Sequence, residues 1–341
     1  MPLLHKITIK NFKSIARQEI GLGDLNMVIG ANGAGKSNLI SVFRLLDRIL
    51  VKRLQLYVGE QGGAERFLFH GQKNSTALEI RFDFLQHSYG FRLKPAVGDT
   101  LVFEWELYDN LLGSGHKESL LEPTAAPWHN HRWVIHHFHD TSDSAPSKRL
   151  GPIDDNQFLR PDAGNLAAYL FMLRNNHPVA YRHIVEHVQL VAPFFDNFIL
   201  EPSRSNTETI KLAWSQKGSD AYFDGYALSD GTLRFICLAT LLLQPAPPGM
   251  ILLDEPELGL HPLAIRILSE MLDSTARHAQ VVVATQSVTL LNNFSPETVL
   301  ITENDGLQTS FSRLNAEKLH HWLEQFSLGE LWEKNVLGGS P

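Results

Sequence analysis

The eight residues Gly30-Ala-Asn-Gly-Ala-Gly-Lys36-Ser37 constrain this chain more than any other stretch. They match the pattern G-x-x-x-x-G-K-S, and a short apolar run, Leu25 to Ile29, leads into them. Glycines at 30, 33 and 35 let successive backbone N–H groups converge on phosphate oxygens without Cβ clashes. Lys36 adds a flexible point charge, and the Ser37 hydroxyl can ligate Mg²⁺. From Lys36 to Leu56 apolar residues recur at helical spacing, so the loop should open a helix whose N-terminus favours an anion. A chance glycine-rich turn would not bring a buried strand, a lysine–serine pair and a helix in this order. The stretch reads as a phosphate loop, with Gly30, Asn32, Gly33, Ala34, Gly35, Lys36, Ser37 and Asn38 as the expected nucleotide ligands.

A second chemical element lies far downstream. Met250-Ile-Leu-Leu-Asp254-Glu255-Pro256-Glu257 is an apolar strand that ends in two adjacent carboxylates. Asp254, at the strand end, is suited to the magnesium shell. Glu255 is placed to orient and polarise an attacking water, as a catalytic residue. Two neighbouring acids directly after a buried strand are unusual as surface decoration.

The rest of the chain supports an α/β protein. Ile7, Ile9 and Phe12 alternate with polar residues, and alternation returns from Ala77 to Tyr108, where Gly90 and Gly98-Asp99 are expected as turns of an antiparallel meander. Residues 109 to 150 read as loop-rich, with one strand near Trp133 to Phe138. Asn165 to Phe195 reads as helix interrupted before Pro178. Strands at 250–253 and 280–284, a helix after Pro262 and a hairpin near 298–313 imply a parallel α/β layer.

The 341 residues, 43% apolar, can bury a large core. A formal charge of −7 excludes a generally basic surface and leaves room for a local basic stripe. The one cysteine, Cys237, excludes an internal disulfide and any multi-cysteine zinc site. No leader-like or membrane-spanning run is visible, so a cytoplasmic site of action and no membrane partner are expected.

With Leu228-Ser229-Asp230-Gly231-Thr232 sitting about 25 residues before the carboxylate pair, the motif set resembles that of ABC-type ATPases, in the order those proteins use. The resemblance implies that Ser229 and Gly231 bind the γ-phosphate of ATP held by a second copy. The buried run Val281 to Thr285 leads to the position where ABC ATPases usually carry a switch histidine. Here Gln286 or Ser287 takes that place, and a glutamine can hydrogen-bond a γ-phosphate but carries no charge, which favours slow hydrolysis. The opening Ile7-Thr-Ile-Lys-Asn-Phe12-Lys13-Ser14 is similar to SMC, RecF and OLD-type ATPases and not to membrane-transporter ATPases. By that resemblance Lys13 and Ser14 lie near the nucleotide, and Gln72 is the candidate Q-loop metal ligand.

The resemblance extends to Asp162-Ala-Gly-Asn165 and to Ser327-Leu-Gly-Glu-Leu-Trp332, which are similar to small bacterial ATPases paired with a separate nuclease or Toprim-like effector in anti-phage systems such as Septu and PARIS. The long coiled-coil arms of SMC proteins and the Toprim nuclease of full OLD proteins are missing from the sequence. The implied architecture is an ABC-type head: 1–112 as its N-terminal part, 113–221 as a loop-rich and helical insertion, and 222–341 as its C-terminal part. The implied activity is ATP hydrolysis with Mg²⁺ by a homodimer or a larger assembly of dimers, with Lys36, Glu255 and Gln286 in the catalytic roles. DNA is a candidate partner. Alternatives are a stand-alone RecF-like repair ATPase and a nucleotide-locked scaffold that sequesters an effector.

Three weaker features have plain readings beside the functional ones. Arg44, Arg48 and Lys52 form a basic stripe that could follow a phosphate backbone or simply face solvent. Six histidines between His116 and His139 include the i, i+2 pairs 129/131 and 137/139, which could share a metal or be neutral histidines of an insertion. Leu319, Trp322, Leu323 and Phe326 make an apolar helix face after an Asn315 cap, for docking on the core or for a partner.

Overall fold

The structure, a computed structural model, describes residues 3–122 and 133–339. The chain divides into two compact units: Met1–Ile135 with Gln280–Pro341, and His136–Ala279. The 113–221 stretch is thus shared between them.

In the first unit the alternating segments form an antiparallel sheet. Its strands run in the order Ile15–Gly21, Leu4–Phe12, Leu78–Phe84, Ser88–Ala96, Thr100–Tyr108 and Asn110–Gly113. Strand Leu4–Phe12 buries Leu4, Ile7, Ile9 and Phe12; Ile7 and Ile9 keep the period of two, while a register shift between Leu4 and Lys6 and the left-handed Asn11, φ 55°, displace the outer two by one residue each. The unit also holds a parallel ladder, in which Leu25–Ile29 lies between Gln280–Thr285 and Val299–Asn304. Leu25–Ile29 and Gln280–Thr285 are buried along their whole length, as strands covered on both faces must be. Thr309–Arg313 closes the expected hairpin, antiparallel to Val299–Asn304.

Two local expectations are corrected. The helix expected to reach Leu56 is Lys36–Leu50, followed by a separate helix Leu54–Glu60. The break falls at Lys52, whose φ is 57° and whose ammonium donates to the Ser119 carbonyl at 2.5 Å. A tertiary contact therefore sets it, with no proline or glycine to announce it. Gly90 is no turn but lies inside strand Ser88–Ala96. A Cβ there would stand 3.4 Å from both the Ile80 carbonyl oxygen and the Trp105 ring, an ordinary contact, and the position is held in the sheet by pairing with Arg81 and Leu107.

The second unit is mainly helical. Leu166–Asn176 and Pro178–Val191 meet at His177, with the proline in the first turn where its missing N–H is harmless. Asp230–Leu242 carries an apolar run from Phe235 broken only by Thr240, and is buried from Leu233 to Leu242. A three-stranded antiparallel sheet, Phe195–Ile199, Ala213–Gln216 and Tyr222–Asp224, packs around Trp214, whose ring stacks on Phe223 at 4.8 Å. Strand Met250–Asp254 and helix Pro262–Ala276 complete the unit.

Candidate functional site

In the first unit the buried strand Leu25–Ile29 delivers the chain to the phosphate loop, and helix Lys36–Leu50 leaves it. Lys36 is buried, and its ammonium donates to the carbonyls of Gly30 at 2.6 Å and Ala31 at 3.0 Å. The side chain thus folds back over its own loop and holds a cation at the mouth. Gly35, at φ 114°, has no Cβ because one would collide with the Thr309 hydroxyl. Asn32, Gly33 and Ser37 are exposed around this mouth, and a first helical turn supplies N–H groups with no intrahelical acceptor. The geometry suits a polyphosphate anion.

Hydrogen bonds join three distant segments behind the loop. The Asn38 amide donates to the Ser14 hydroxyl at 2.6 Å, and the Ser14 and Thr309 hydroxyls share a bond of 2.7 Å. The Thr309 hydroxyl also donates to the Ala34 carbonyl at 2.9 Å. Ser14 therefore braces the loop from behind. Lys13, with φ 50°, donates to the Ser41 hydroxyl at 3.0 Å on the helix that follows the loop. Burial, helped by the Arg44 cation, holds the Lys13 ammonium below the ordinary lysine range. Thr309 is a part of this arrangement that sequence reasoning missed. On the loop's other side a cavity of about 280 Å³ is lined by Asn32, Gly33, Thr302, Glu303, Asn335 and Gly339 among others.

In the second unit Asp254 and Glu255 end the strand Met250–Asp254, and both are half-buried. Glu255 has φ 44°, a left-handed conformation that a non-glycine residue adopts only when its surroundings enforce it. A tight turn follows, with the Leu258 N–H on the Glu255 carbonyl at 3.2 Å. Ser229 is exposed and caps the helix Asp230–Leu242, its hydroxyl accepting the Thr232 N–H at 3.2 Å. Gly231 stands where a Cβ would lie 2.5 Å from the Gly259 carbonyl oxygen. The helix start and the turn after the carboxylates are in direct contact through that absence. Arg234, one turn on, is buried and bonds backbone carbonyls.

The remaining candidates are placed as follows. Gln286 is half-buried after strand Gln280–Thr285, and Ser287 caps the short helix Val288–Leu291. Gln72 is exposed in the loop after Gly71. In the basic stripe, the Arg44 charge acts on Lys13, Arg48 lies 3.7 Å from Asp47, and Lys52 is held by Ser119 and Glu122. His129 and His131 lie outside the described residues. The rings of His137 and His139 are 6.2 Å apart, and among the described residues no group of three or more His, Cys, Asp or Glu could hold a metal ion. Among the same residues no helix is long and apolar enough to cross a membrane.

A family model described as "AAA domain, putative AbiEii toxin, Type IV TA system" matches residues 25–292, well over half of the chain. The phosphate import ATP-binding protein PstB of Desulfitobacterium hafniense (strain Y51) is 27% identical over 95 residues, which are 28% of this chain. The match spans only 36% of that protein's length. Among solved structures, an Smc head bound to the C-winged helix domain of ScpA superposes with a TM-score of 0.66 at 16% identity, covering 94% of this chain and 100% of that one. An Smc head with an extended coiled coil, bound to the C-terminal domain of ScpA and derived from Pyrococcus furiosus, gives 0.65 at 16% identity, covering 95% and 99%. At such identity the likeness shows the fold, that of an SMC-type ABC ATPase head.

Proposed function

Because the chain belongs to this AAA domain family and has the fold of an SMC head, we propose that it binds and hydrolyses ATP with Mg²⁺ and dimerises on ATP. In this reading it is the sensor or motor subunit of a bacterial anti-phage system, acting with a separate nuclease or Toprim-like effector. The observation that carries the nucleotide part is the phosphate loop, where the Lys36 ammonium is held on the Gly30 and Ala31 carbonyls above exposed loop residues. The Smc heads named above are described as bound to ScpA domains, which supports a protein partner for this head as well.

The phosphate loop suits the polyphosphate of ATP. Lys36 and the loop N–H groups from Gly33 to Ser37 hold the phosphates. Mg²⁺, when bound, neutralises charge on the phosphate oxygens, and Ser37, Asp254 and Gln72 are the residues that would hold it. Glu255 orients the attacking water and accepts its proton. Ser229 and Gly231 of a second copy complete the site at the γ-phosphate. Gln286, at the switch position, hydrogen-bonds without charge, which keeps hydrolysis slow. That one residue also favours a second reading, a nucleotide-locked scaffold that restrains an effector.

Titration with a fluorescent ATP analogue tests the core of the proposal. Lys36→Ala should weaken binding at least about 10-fold, since a hydrogen bond from a charged donor is worth roughly 1.5–3 kcal/mol. Unchanged affinity would remove Lys36 from the phosphates. ATPase rates with and without DNA then separate the readings: strong stimulation supports a DNA-responsive motor, and a low flat rate the scaffold.

A further inference from the structure

The turn after the two carboxylates is held to the helix that begins at Ser229 by one buried side chain, Arg234. Its guanidinium donates to three backbone carbonyls: Nε to Phe138 at 3.0 Å, Nη2 to His139 at 3.2 Å, and Nη1 to Leu258. Arg234 is 6% exposed, and burial holds its guanidinium below the ordinary arginine range, an effect that the exposed Asp230 and the buried Glu257 carboxylates offset only in part. With Asp254 and Glu255 it lines a void of about 10 Å³, room for roughly one water. A guanidinium offers five donors in a rigid fork, so it can fix three acceptors at once where an ammonium cannot. The Gly231–Gly259 approach lies beside it, and together they grip the turn from Glu255 to Gly259. Within that turn Glu255 holds a φ of 44°.

We propose that Arg234 is a positioning residue for hydrolysis, clamping the Glu255–Gly259 turn to the Ser229 helix so that the two move as one body. The inference rests on the ATPase reading given above. Its consequence is mechanical. Glu255 serves the chain's own ATP and Ser229 the ATP of a second copy, so any shift of the helix start at one site carries the water-directing carboxylate of the other. No other side chain among the described residues bonds to Phe138, His139 and Leu258 together.

The test is a double-mutant cycle on steady-state ATP hydrolysis, using Arg234→Ala, Arg234→Lys, Glu255→Gln and the combination of Arg234→Ala with Glu255→Gln. Arg234→Ala should lower kcat by about 100-fold, the typical effect of a displaced catalytic group, with KM for ATP within about twofold. Arg234→Lys should recover part of the loss. The combined variant should be no slower than Glu255→Gln alone, because residues acting through one another are not additive. A merely structural arginine would instead multiply the two losses, and that result overturns the proposal. So does a wild-type kcat in Arg234→Ala. Should that variant fail to fold by circular dichroism, Arg234→Lys carries the cycle alone. A wild-type rate in Glu255→Gln would sink the ATPase assignment itself, a separate outcome.

Discussion

Position 231 cannot accept even a methyl group without moving the backbone, because its Cβ would lie 2.5 Å from the Gly259 carbonyl oxygen. Gly231→Ala should therefore destabilise the fold by about 1–3 kcal/mol, the usual cost of forced overpacking, read from urea unfolding. A stability change under about 0.5 kcal/mol, the range of an ordinary surface substitution, would show that the two segments are not in contact. Cys237, two turns along the same helix, offers an independent probe. It is buried, and burial pushes its thiol up to about 12. A thiol reagent at pH 8 should leave it unmodified in the native protein and label it fully in denaturant. Equal labelling rates in the two conditions would contradict that burial. Ser229, Gly231 and Arg234 thus share two turns of one helix, yet only the first two carry a sequence signature. Arg234 reads as an ordinary charged residue until its three acceptors are seen, two of them 95 and 96 positions away.

The two tryptophans near the C-terminal end separate a packed element from a loosely held one. Trp332, in helix Leu328–Glu333, is fully buried and donates its indole N–H to the Gly339 carbonyl at 2.6 Å. Trp322, in helix Ala316–Leu323, is 46% exposed, and that helix has no buried residue. Trp332→Ala should cost about 3–5 kcal/mol and Trp322→Ala less than about 1 kcal/mol, measured by chemical unfolding. The reverse order would mean that the apolar face of Leu319, Trp322, Leu323 and Phe326 is the one that docks. Its helical spacing was legible in the residues, but spacing says only that a face exists. What covers it depends on the neighbours. The same limit explains the break at Lys52, which a carbonyl 67 positions away imposes on a stretch of good helix formers.

At the scale of the whole molecule the expectation is a change of mass. The chain weighs 38.3 kDa. With Glu255→Gln and ATP present, light scattering should report twice that value, because a variant that binds without turning over traps the closed pair. In the same variant kcat should fall by about 100-fold or more. A single-chain mass at saturating ATP would remove the dimer from the proposed mechanism while leaving nucleotide binding intact. An affinity capture of this variant from its native host, with ATP, would then identify a stoichiometric protein partner or nucleic acid alone.

Taken by itself, the sequence determined whatever is built from neighbouring residues. The strand–loop–helix at Gly30–Ser37, the paired acids at Asp254 and Glu255, the cap at Ser229 and the alternation of the meander are all local. Their geometry follows from φ/ψ preferences and periodicity within a few residues. Only the tertiary structure decided what reaches those motifs from afar. Thr309 braces the phosphate loop through Ala34 and Ser14 across 275 and 295 positions, and its residue type carries no hint of it. Gly90 sits inside a strand because the neighbouring strands pair it there, with Arg81 on one side and Leu107 on the other. Arg234 likewise joins the carboxylate turn to the Ser229 helix. Close packing and hydrogen-bond satisfaction are settled by whichever groups the fold brings within about 3 Å, and sequence distance does not enter that condition.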